Sequence, residues 1–301
     1  MWGIVLLLAV ITGLSYCSYW IAFYNPVHRH RETVVIRSSQ DPPDLEQQCA
    51  IMAEQPFEEI YITARDGIRL CGRYYHRSDD GPIQIQFHGY RGNGIRDFCA
   101  IHGICTEMGI NTLVVDQRAH GCSGGNTMTF GILERYDCQC WAEYVCRRFG
   151  SDRKVFLCGV SMGGATVLMA SNLQLPENVA GIIADCPYST PGAIIRKVIS
   201  DMRFPAAVLY PFVALGAFVF GGFFVWGESA VHAVSETMIP ILLIHGSDDR
   251  FVPQNMSVDI FEKCAGKRYL EIFPGAGHAG CCATDPVRYE KILRSFMNSC
   301  G

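Results

Sequence analysis

Three short segments carry side chains that together could attack a carbonyl group. Ser161 lies in the Gly-x-Ser-x-Gly pattern of residues 159–163, after an apolar run and before a helix-forming run. Two carboxylates, Asp248 and Asp249, follow the apolar segment 239–244, and His278 follows the strand-like segment 269–273. A serine hydroxyl becomes a nucleophile when a base takes its proton, and an acid must fix the tautomer of that base. These residues in this order therefore predict nucleophilic catalysis by a serine.

The pattern around Ser161 is typical of a sharp turn from a buried strand into a helix, with the serine at its apex. Gly159 and Gly163 suit such a turn, because a side chain at either position would collide with the opposing backbone. The turn also places the serine at a helix N-terminus, where free N–H groups favour an oxyanion. The alternative is a turn with a purely structural serine, and the downstream acid and base argue against it.

The elements that must position these residues alternate along the chain. Two alternating runs, 58–63 and 68–75, flank Asp66-Gly67 and predict a β-hairpin. Further strands are predicted at 83–87, 112–115, 155–157, 181–183, 241–244 and 269–272, most of them separated by helical stretches. This alternation predicts a mostly parallel sheet with helices on both faces.

With these segments in place, the chain resembles an α/β hydrolase over residues 57–299. It is similar to bacterial membrane-anchored serine hydrolases related to serine aminopeptidases and carboxylesterases. The residues that match the acid loop of that group are His245, Gly246, Asp249, Val252 and Pro253. The resemblance implies an eight-stranded sheet with a helical cap, Asp249 rather than Asp248 as the acid, and His278 as the base. Asp185, which ends another predicted strand, is the alternative acid.

The resemblance also implies an oxyanion hole made of two backbone N–H groups. One belongs to Met162, which follows the nucleophile, and the other to Tyr90, which follows Gly89 in the His88-Gly89 loop. We expect the side chains of His88, Asp116, Arg118 and His120 to be structural.

Residues 187–238 are too long for a plain connection, and related proteins insert a cap at this point. The segment Phe204–Trp226 is strongly apolar and contains no charged residue. We interpret it as a lid that lines an acyl pocket, with Phe223, Phe224 and Tyr188 as candidate pocket residues. A second transmembrane span is the alternative, but the segment lies between two core strands of one sheet.

Residues 1–24 carry no charged side chain and are mostly apolar, which predicts a transmembrane anchor. A cleaved signal peptide is the alternative, although no basic region precedes the apolar run. Residues 25–56 are expected to form a tether and a leading helix, and residues 57–301 the hydrolase domain. The basic cluster 28–31 follows the anchor, and fifteen unpatterned cysteines suit a reducing compartment, so we expect the domain to be cytoplasmic.

Several function classes find no support in the sequence. The formal net charge is −4, and no basic stripe indicates a nucleic-acid partner. Neither Cys138 and Cys140 nor the group of His278, Cys281 and Cys282 has the paired spacing of a zinc site, and no dinucleotide or phosphate-binding loop is present. We therefore expect no metal and no cofactor.

The sequence favours a serine hydrolase that cleaves carboxylic esters through an acyl-enzyme, with a small-molecule or lipid-like ester as substrate. The alternatives are an amide or peptide hydrolase of the serine aminopeptidase kind, and an enzyme like a lysophospholipase or monoacylglycerol lipase. A hydrolase-like binding protein is the non-enzymatic alternative, and a complete set of catalytic residues argues against it.

Overall fold

The computed structural model describes residues 2–25 and 44–300. The basic cluster 28–31 and most of the predicted tether lie outside the described residues, so the expected membrane orientation stays a prediction. The part of the leading helix that is described runs from Leu45 to Glu54.

Eight strands form one sheet, as predicted. They are β1 (Glu58–Thr63), β2 (Arg69–Tyr75), β3 (Ile83–Phe87), β4 (Asn111–Asp116), β5 (Val155–Val160), β6 (Val179–Asp185), β7 (Ile241–Gly246) and β8 (Arg268–Phe273). Their order in the sheet is β1-β2-β4-β3-β5-β6-β7-β8. The pairs β1–β2 and β2–β4 are antiparallel, and the remaining pairs are parallel. The central strands are buried on both faces, which explains why β5, β6 and β7 read as nearly continuous apolar runs. In β3 the buried Gln84 and Gln86 interrupt the run and bond to each other.

Helices cover both faces of the sheet. The described helices are α1 (Trp2–Ala22), α2 (Leu45–Glu54), α3 (Gly94–Glu107), α4 (Glu134–Phe149), α5 (Met162–Ala170), α6 (Pro191–Asp201), α7 (Ala206–Gly221), α8 (Ala230–Ala233), α9 (Asn255–Lys263), α10 (Cys281–Thr284) and α11 (Pro286–Ser299). One core cluster joins the sheet to α2, α3 and α11. A second cluster joins the opposite face to α4, α5 and α9.

The predicted cap consists of α6, α7 and α8, inserted between β6 and β7. It does not stand alone, because α7 packs along α1. The two backbones nearly touch: a Cβ atom placed on Gly216 would lie 2.3 Å from the carbonyl oxygen of Ser15. Only glycine permits this approach, so α1 and α7 form a close helix pair.

Within the described residues, α1 is the one helix long and apolar enough to cross a bilayer, and a signal sequence would share these features. Its first nine residues, Trp2–Val10, are exposed. Its second half packs on the domain, where Tyr19 and the following Phe23 are buried in a third core cluster with Phe130 and Phe223. The helix thus has one free half and one docked half.

Candidate active site

Ser161 occupies a strained turn between β5 and α5. Its φ of 55° and ψ of −115° are unfavourable for a residue with a side chain. A Cβ atom on Gly159 would lie 2.2 Å from the carbonyl carbon of Gly163, and one on Gly163 would lie 1.8 Å from the carbonyl oxygen of Phe87. Both glycines are therefore required for the turn to close. The Ser161 N–H donates to the carbonyl of Asp185 at 2.8 Å, which fixes the apex against β6.

The structure brings the three sequence-predicted catalytic side chains into one hydrogen-bonded row. His278 Nε2 lies 3.0 Å from Ser161 Oγ, and His278 Nδ1 lies 2.6 Å from Asp249 Oδ2. Ser161 follows β5, Asp249 follows β7 and His278 follows β8, so the carboxyl ends of three parallel strands supply them. This geometry can pass a proton from the serine to the imidazole while the carboxylate stabilises the resulting cation.

The surroundings of Asp249 favour its anionic form. Its Oδ1 accepts hydrogen bonds from the backbone N–H groups of Phe251 and Val252 at 2.9 and 2.8 Å. Burial by itself would raise the pKa of this carboxyl, but hydrogen bonds from His245 and His278 outweigh it and hold the pKa well below the usual range. Asp249 is therefore ionised throughout the neutral pH range.

His245 is a positioning residue. From the sequence it was identified only as one of the residues that match the acid loop, with no role of its own. Its Nδ1 lies 2.7 Å from Ser257 Oγ, and its Nε2 lies 2.8 Å from the carbonyl of Val252. Nε2 must therefore carry the hydrogen, and it also lies 3.3 Å from Asp249 Oδ2. His245 thus supports the same Asp249 oxygen that bonds to His278.

The other two candidate acids lie elsewhere. Asp248 is exposed and accepts a hydrogen bond from its neighbour Ser247. Asp185 is buried, its Oδ2 accepts a bond from the Tyr289 hydroxyl at 3.3 Å, and burial raises the pKa of its carboxyl to about 6. The structure places neither side chain in hydrogen-bonding contact with His278.

The loop after β3 lies against the nucleophile. A Cβ atom on Gly89 would be 3.5 Å from the Ser161 Cβ. The Gly89 N–H donates to Asp97, the Arg91 N–H donates to His120, and the Gly92 N–H donates to the Gly89 carbonyl. In this loop the Tyr90 N–H has no protein acceptor among the described residues. The N–H of Met162, the first residue of α5, is likewise left for an outside acceptor.

Two buried histidines stabilise this loop in neutral form. His88 Nε2 accepts a bond from the Gln117 N–H, so its Nδ1 donates to the Gly89 carbonyl. His120 Nε2 accepts a bond from the Arg91 N–H, so its Nδ1 donates to the Arg118 carbonyl. Burial and the neighbouring His88 lower the pKa of His120 to about 3. Neutral rings allow each histidine to accept one bond and donate another.

The remaining polar residues near the site have structural partners. Arg118 forms a two-bond ion pair with Asp137 and also contacts Asp66. The Asp116 carboxylate accepts a hydrogen bond from the Cys122 N–H. These contacts fix the loops around β4.

The structure separates the three candidate pocket residues. Tyr188 and Phe223 are buried in the third core cluster, which also contains Met162. Phe224 is 45% exposed, and its ring stacks on Phe218 at 4.7 Å on the outside of the cap. Phe224 is therefore not part of the third core cluster, which contains Met162 next to the nucleophile. The chain turns outward after the buried Phe223.

Among the described residues, two groups each place three possible metal-ligating atoms within 4.8 Å of one another. One comprises Cys71, Asp116 and Cys122, and the other comprises Cys186, Asp249 and His278. In the second group a metal would compete with the Asp249–His278 hydrogen bond, and burial keeps the pKa of the Cys186 thiol well above its usual value. We assign no metal to either group.

Comparisons with known proteins agree with this architecture. A model of the family described as "Serine aminopeptidase, S33" matches residues 85–218. The Bacillus subtilis protein YqkD, which is uncharacterised, is 23% identical over 269 residues that cover 89% of this chain and 87% of that protein. The Pyrococcus furiosus esterase Pf2001 is 21% identical with a TM-score of 0.64, over 88% of this chain and 96% of that structure. Est1E of Butyrivibrio proteoclasticus, solved with ferulic acid bound, is 19% identical with a TM-score of 0.62, over 79% of this chain and 99% of that structure.

The eight-stranded sheet, the strand-to-helix turn at Ser161 and these similarities show that the chain has the α/β-hydrolase fold. The fold that the resemblance implied is confirmed.

Proposed function

We propose that the chain is a membrane-associated serine hydrolase that cleaves carboxylic esters through an acyl-enzyme. The observation that carries the proposal is the hydrogen-bonded row from Asp249 through His278 to Ser161. The esterases among its structural relatives support the same class of reaction. The uncharged cap segment supports an apolar acyl group over a charged one.

In the proposed reaction, Ser161 Oγ attacks the ester carbonyl carbon while its proton passes to His278 Nε2. The electron pair of the carbonyl bond moves to the oxygen, which the N–H groups of Met162 and Tyr90 stabilise. The intermediate collapses, the C–O bond to the alcohol breaks, and His278 returns the proton to the leaving oxygen. Water then repeats the sequence on the acyl-enzyme and releases the acid.

A fluorophosphonate probe tests the nucleophile. Such a probe reacts with an activated serine, so we expect one labelled site in the full-length protein, at Ser161. Ser161→Ala should abolish both labelling and ester turnover while the thermal midpoint stays close to that of the wild type. Turnover that persists in the folded variant would contradict the proposal.

Amide cleavage is the second candidate, and the match to the serine aminopeptidase family favours it. An aminopeptidase needs a carboxylate for the free amino group of its substrate, and the segment Phe204–Trp226 contains no acidic residue. Matched nitrophenyl esters and aminoacyl nitroanilides decide between the two. We expect ester turnover to dominate, and faster turnover of the aminoacyl amides would reverse the assignment.

A further inference from the structure

The last turn of α1 ends on the loop that carries one of the two proposed oxyanion donors. The last carbonyl groups of a helix have no partner within it and need donors from elsewhere. In α1 and the residues that follow, four successive carbonyls from Ile21 to Tyr24 all accept hydrogen bonds from the hydrolase domain. The domain therefore caps the helix.

Three of these four carbonyls bond to Tyr90 and Arg91. The Tyr90 hydroxyl donates to the Ala22 carbonyl at 2.8 Å. The Arg91 guanidinium donates to the Ile21 carbonyl at 2.8 Å and to the Tyr24 carbonyl at 3.3 Å. A cation is also favoured at the negative end of the helix dipole. Both residues directly follow Gly89, which lies against Ser161.

The opposite side of the same loop is fixed separately. Asp97 holds the Gly89 N–H and His120 holds the Arg91 N–H, as described above. Arg91 itself has a φ of 52°, so its backbone is held in a conformation that the free loop would disfavour. The peptide plane that carries the Tyr90 N–H is held at its Gly89 carbonyl by His88 and by the Gly92 N–H. The Tyr90 and Arg91 side chains tie the following part of the loop to α1.

We infer that α1 is a positioning element of the catalytic site, and that the Tyr90 hydroxyl and the Arg91 guanidinium transmit its position to the oxyanion donor at Tyr90. This inference rests on the proposed function, because it assigns the second oxyanion donor to the Tyr90 N–H. It gives the apolar helix a role besides attachment to a membrane. It also requires that the helix be retained in the working enzyme.

The test uses the full-length enzyme in detergent with the double variant Tyr90→Phe/Arg91→Met. Phenylalanine keeps the ring and the backbone N–H, and methionine keeps most of the apolar stem of the arginine. The matched control is Arg148→Met, which removes a 2.6 Å ion pair with Glu58 that involves neither α1 nor the oxyanion loop. Arg91→Lys in the Tyr90→Phe background restores one charged donor.

Three quantities are measured: kcat, KM, and the affinity for a trifluoromethyl ketone, whose adduct with Ser161 carries an oxyanion. Loss of a whole oxyanion donor lowers kcat by about 10²–10³-fold, so a misplaced donor should lower it by about tenfold. We expect kcat and the inhibitor affinity of the double variant to fall together with KM unchanged, and the lysine variant to recover part of the loss. The Arg148→Met control should keep the wild-type kcat.

Two results would overturn the inference. One is a double variant with wild-type kcat and inhibitor affinity, and the other is an equal loss of kcat in the Arg148→Met control. A wild-type enzyme that neither turns over esters nor reacts with a fluorophosphonate would instead reject the proposed function, and this inference with it. Thermal midpoints identify any variant whose loss comes from unfolding.

Discussion

Asp249 accepts hydrogen bonds on both carboxylate oxygens, which makes it the best-supported acid at the level of single residues. Asp185 is also buried, but one of its oxygens has no partner among the described residues and the other bonds to Tyr289. The difference in hydrogen bonding between Asp249 and Asp185 follows from their positions in the fold. The loop after β7 wraps around Asp249 and supplies backbone donors, whereas Asp185 lies at the end of a central strand.

This contrast predicts the outcome of two isosteric substitutions. Asp249→Asn should lower kcat by about 10⁴-fold, because an amide at this position favours the wrong tautomer of His278. Asp185→Asn should change kcat by less than about tenfold, because its side chain does not touch His278. Steady-state kinetics on one ester measure both variants. A larger loss at Asp185 would assign the acid to the end of β6.

His120 predicts a specific pH dependence of stability. In the folded protein its pKa is about 3, against an ordinary value of 6.5. Between these values the unfolded chain binds one more proton, so acidification lowers the free energy of unfolding by about 1.4 kcal/mol per pH unit from this residue. His120→Gln removes this contribution and leaves an amide oxygen for the Arg91 N–H.

Denaturant unfolding at several pH values between about 6 and 4 measures this contribution. The slope of unfolding free energy against pH should be shallower in His120→Gln than in the wild type by about 1.4 kcal/mol per unit. His76→Gln is the control, because that imidazole is exposed. Equal slopes in the wild type and in His120→Gln would show that His120 takes up a proton in the folded state.

At the level of elements, the cap presents one buried and one exposed phenylalanine in succession. Phe223 contacts Phe23 edge-on at 5.2 Å inside the third core cluster, and Phe224 lies outside on Phe218. Phe223→Leu should therefore change the preferred acyl chain length, because it alters the volume of the cluster that contains Met162. Phe224→Leu, its matched control, should leave kcat/KM for soluble esters unchanged.

A series of nitrophenyl esters with increasing acyl length measures this effect. Each methylene buried against an apolar wall contributes about 0.8 kcal/mol at most, so kcat/KM should rise with length until the pocket is full. We expect the maximum to move in Phe223→Leu only. A shift in Phe224→Leu alone would place the acyl group on the outer face of the cap.

The sequence predicted those elements whose patterns are local. Strand ends, the elbow at Ser161 and the order of acid and base could be read directly, because each depends on a few neighbouring residues. The direction of Phe223 and Phe224 could not be read, because both lie in the loop after the C-cap Gly222 of α7, where no helical or strand period applies. The capping of α1 by Tyr90 and Arg91 joins residues about seventy positions apart, so it depends on tertiary packing.

At the level of the whole molecule, labelling of the cysteines can test on which side of the membrane the domain lies. All fifteen are free thiols, and twelve of them are buried. Cys146 on α4 is partly accessible. If the domain is cytoplasmic, a membrane-impermeant maleimide should label Cys146 in permeabilised cells only. Cys146→Ser identifies the labelled position, and labelling in intact cells would place the domain outside.

The two halves of α1 have a consequence for how substrate reaches the enzyme. The exposed half, Trp2–Val10, is about 14 Å long at 1.5 Å per residue, whereas the hydrocarbon layer is about 30 Å thick. If α1 crosses that layer, its docked half lies at hydrocarbon depth too, and α7 enters the same leaflet with Phe218 and Val219 facing acyl chains. The rate of the enzyme would then depend on the amount of substrate per unit area of membrane. The test adds inert lipid to vesicles while the total amount of a lipid-like ester stays fixed. Turnover should slow in proportion to the mole fraction of the ester in the membrane. A rate that depends only on the bulk concentration of the ester would place the active site in water.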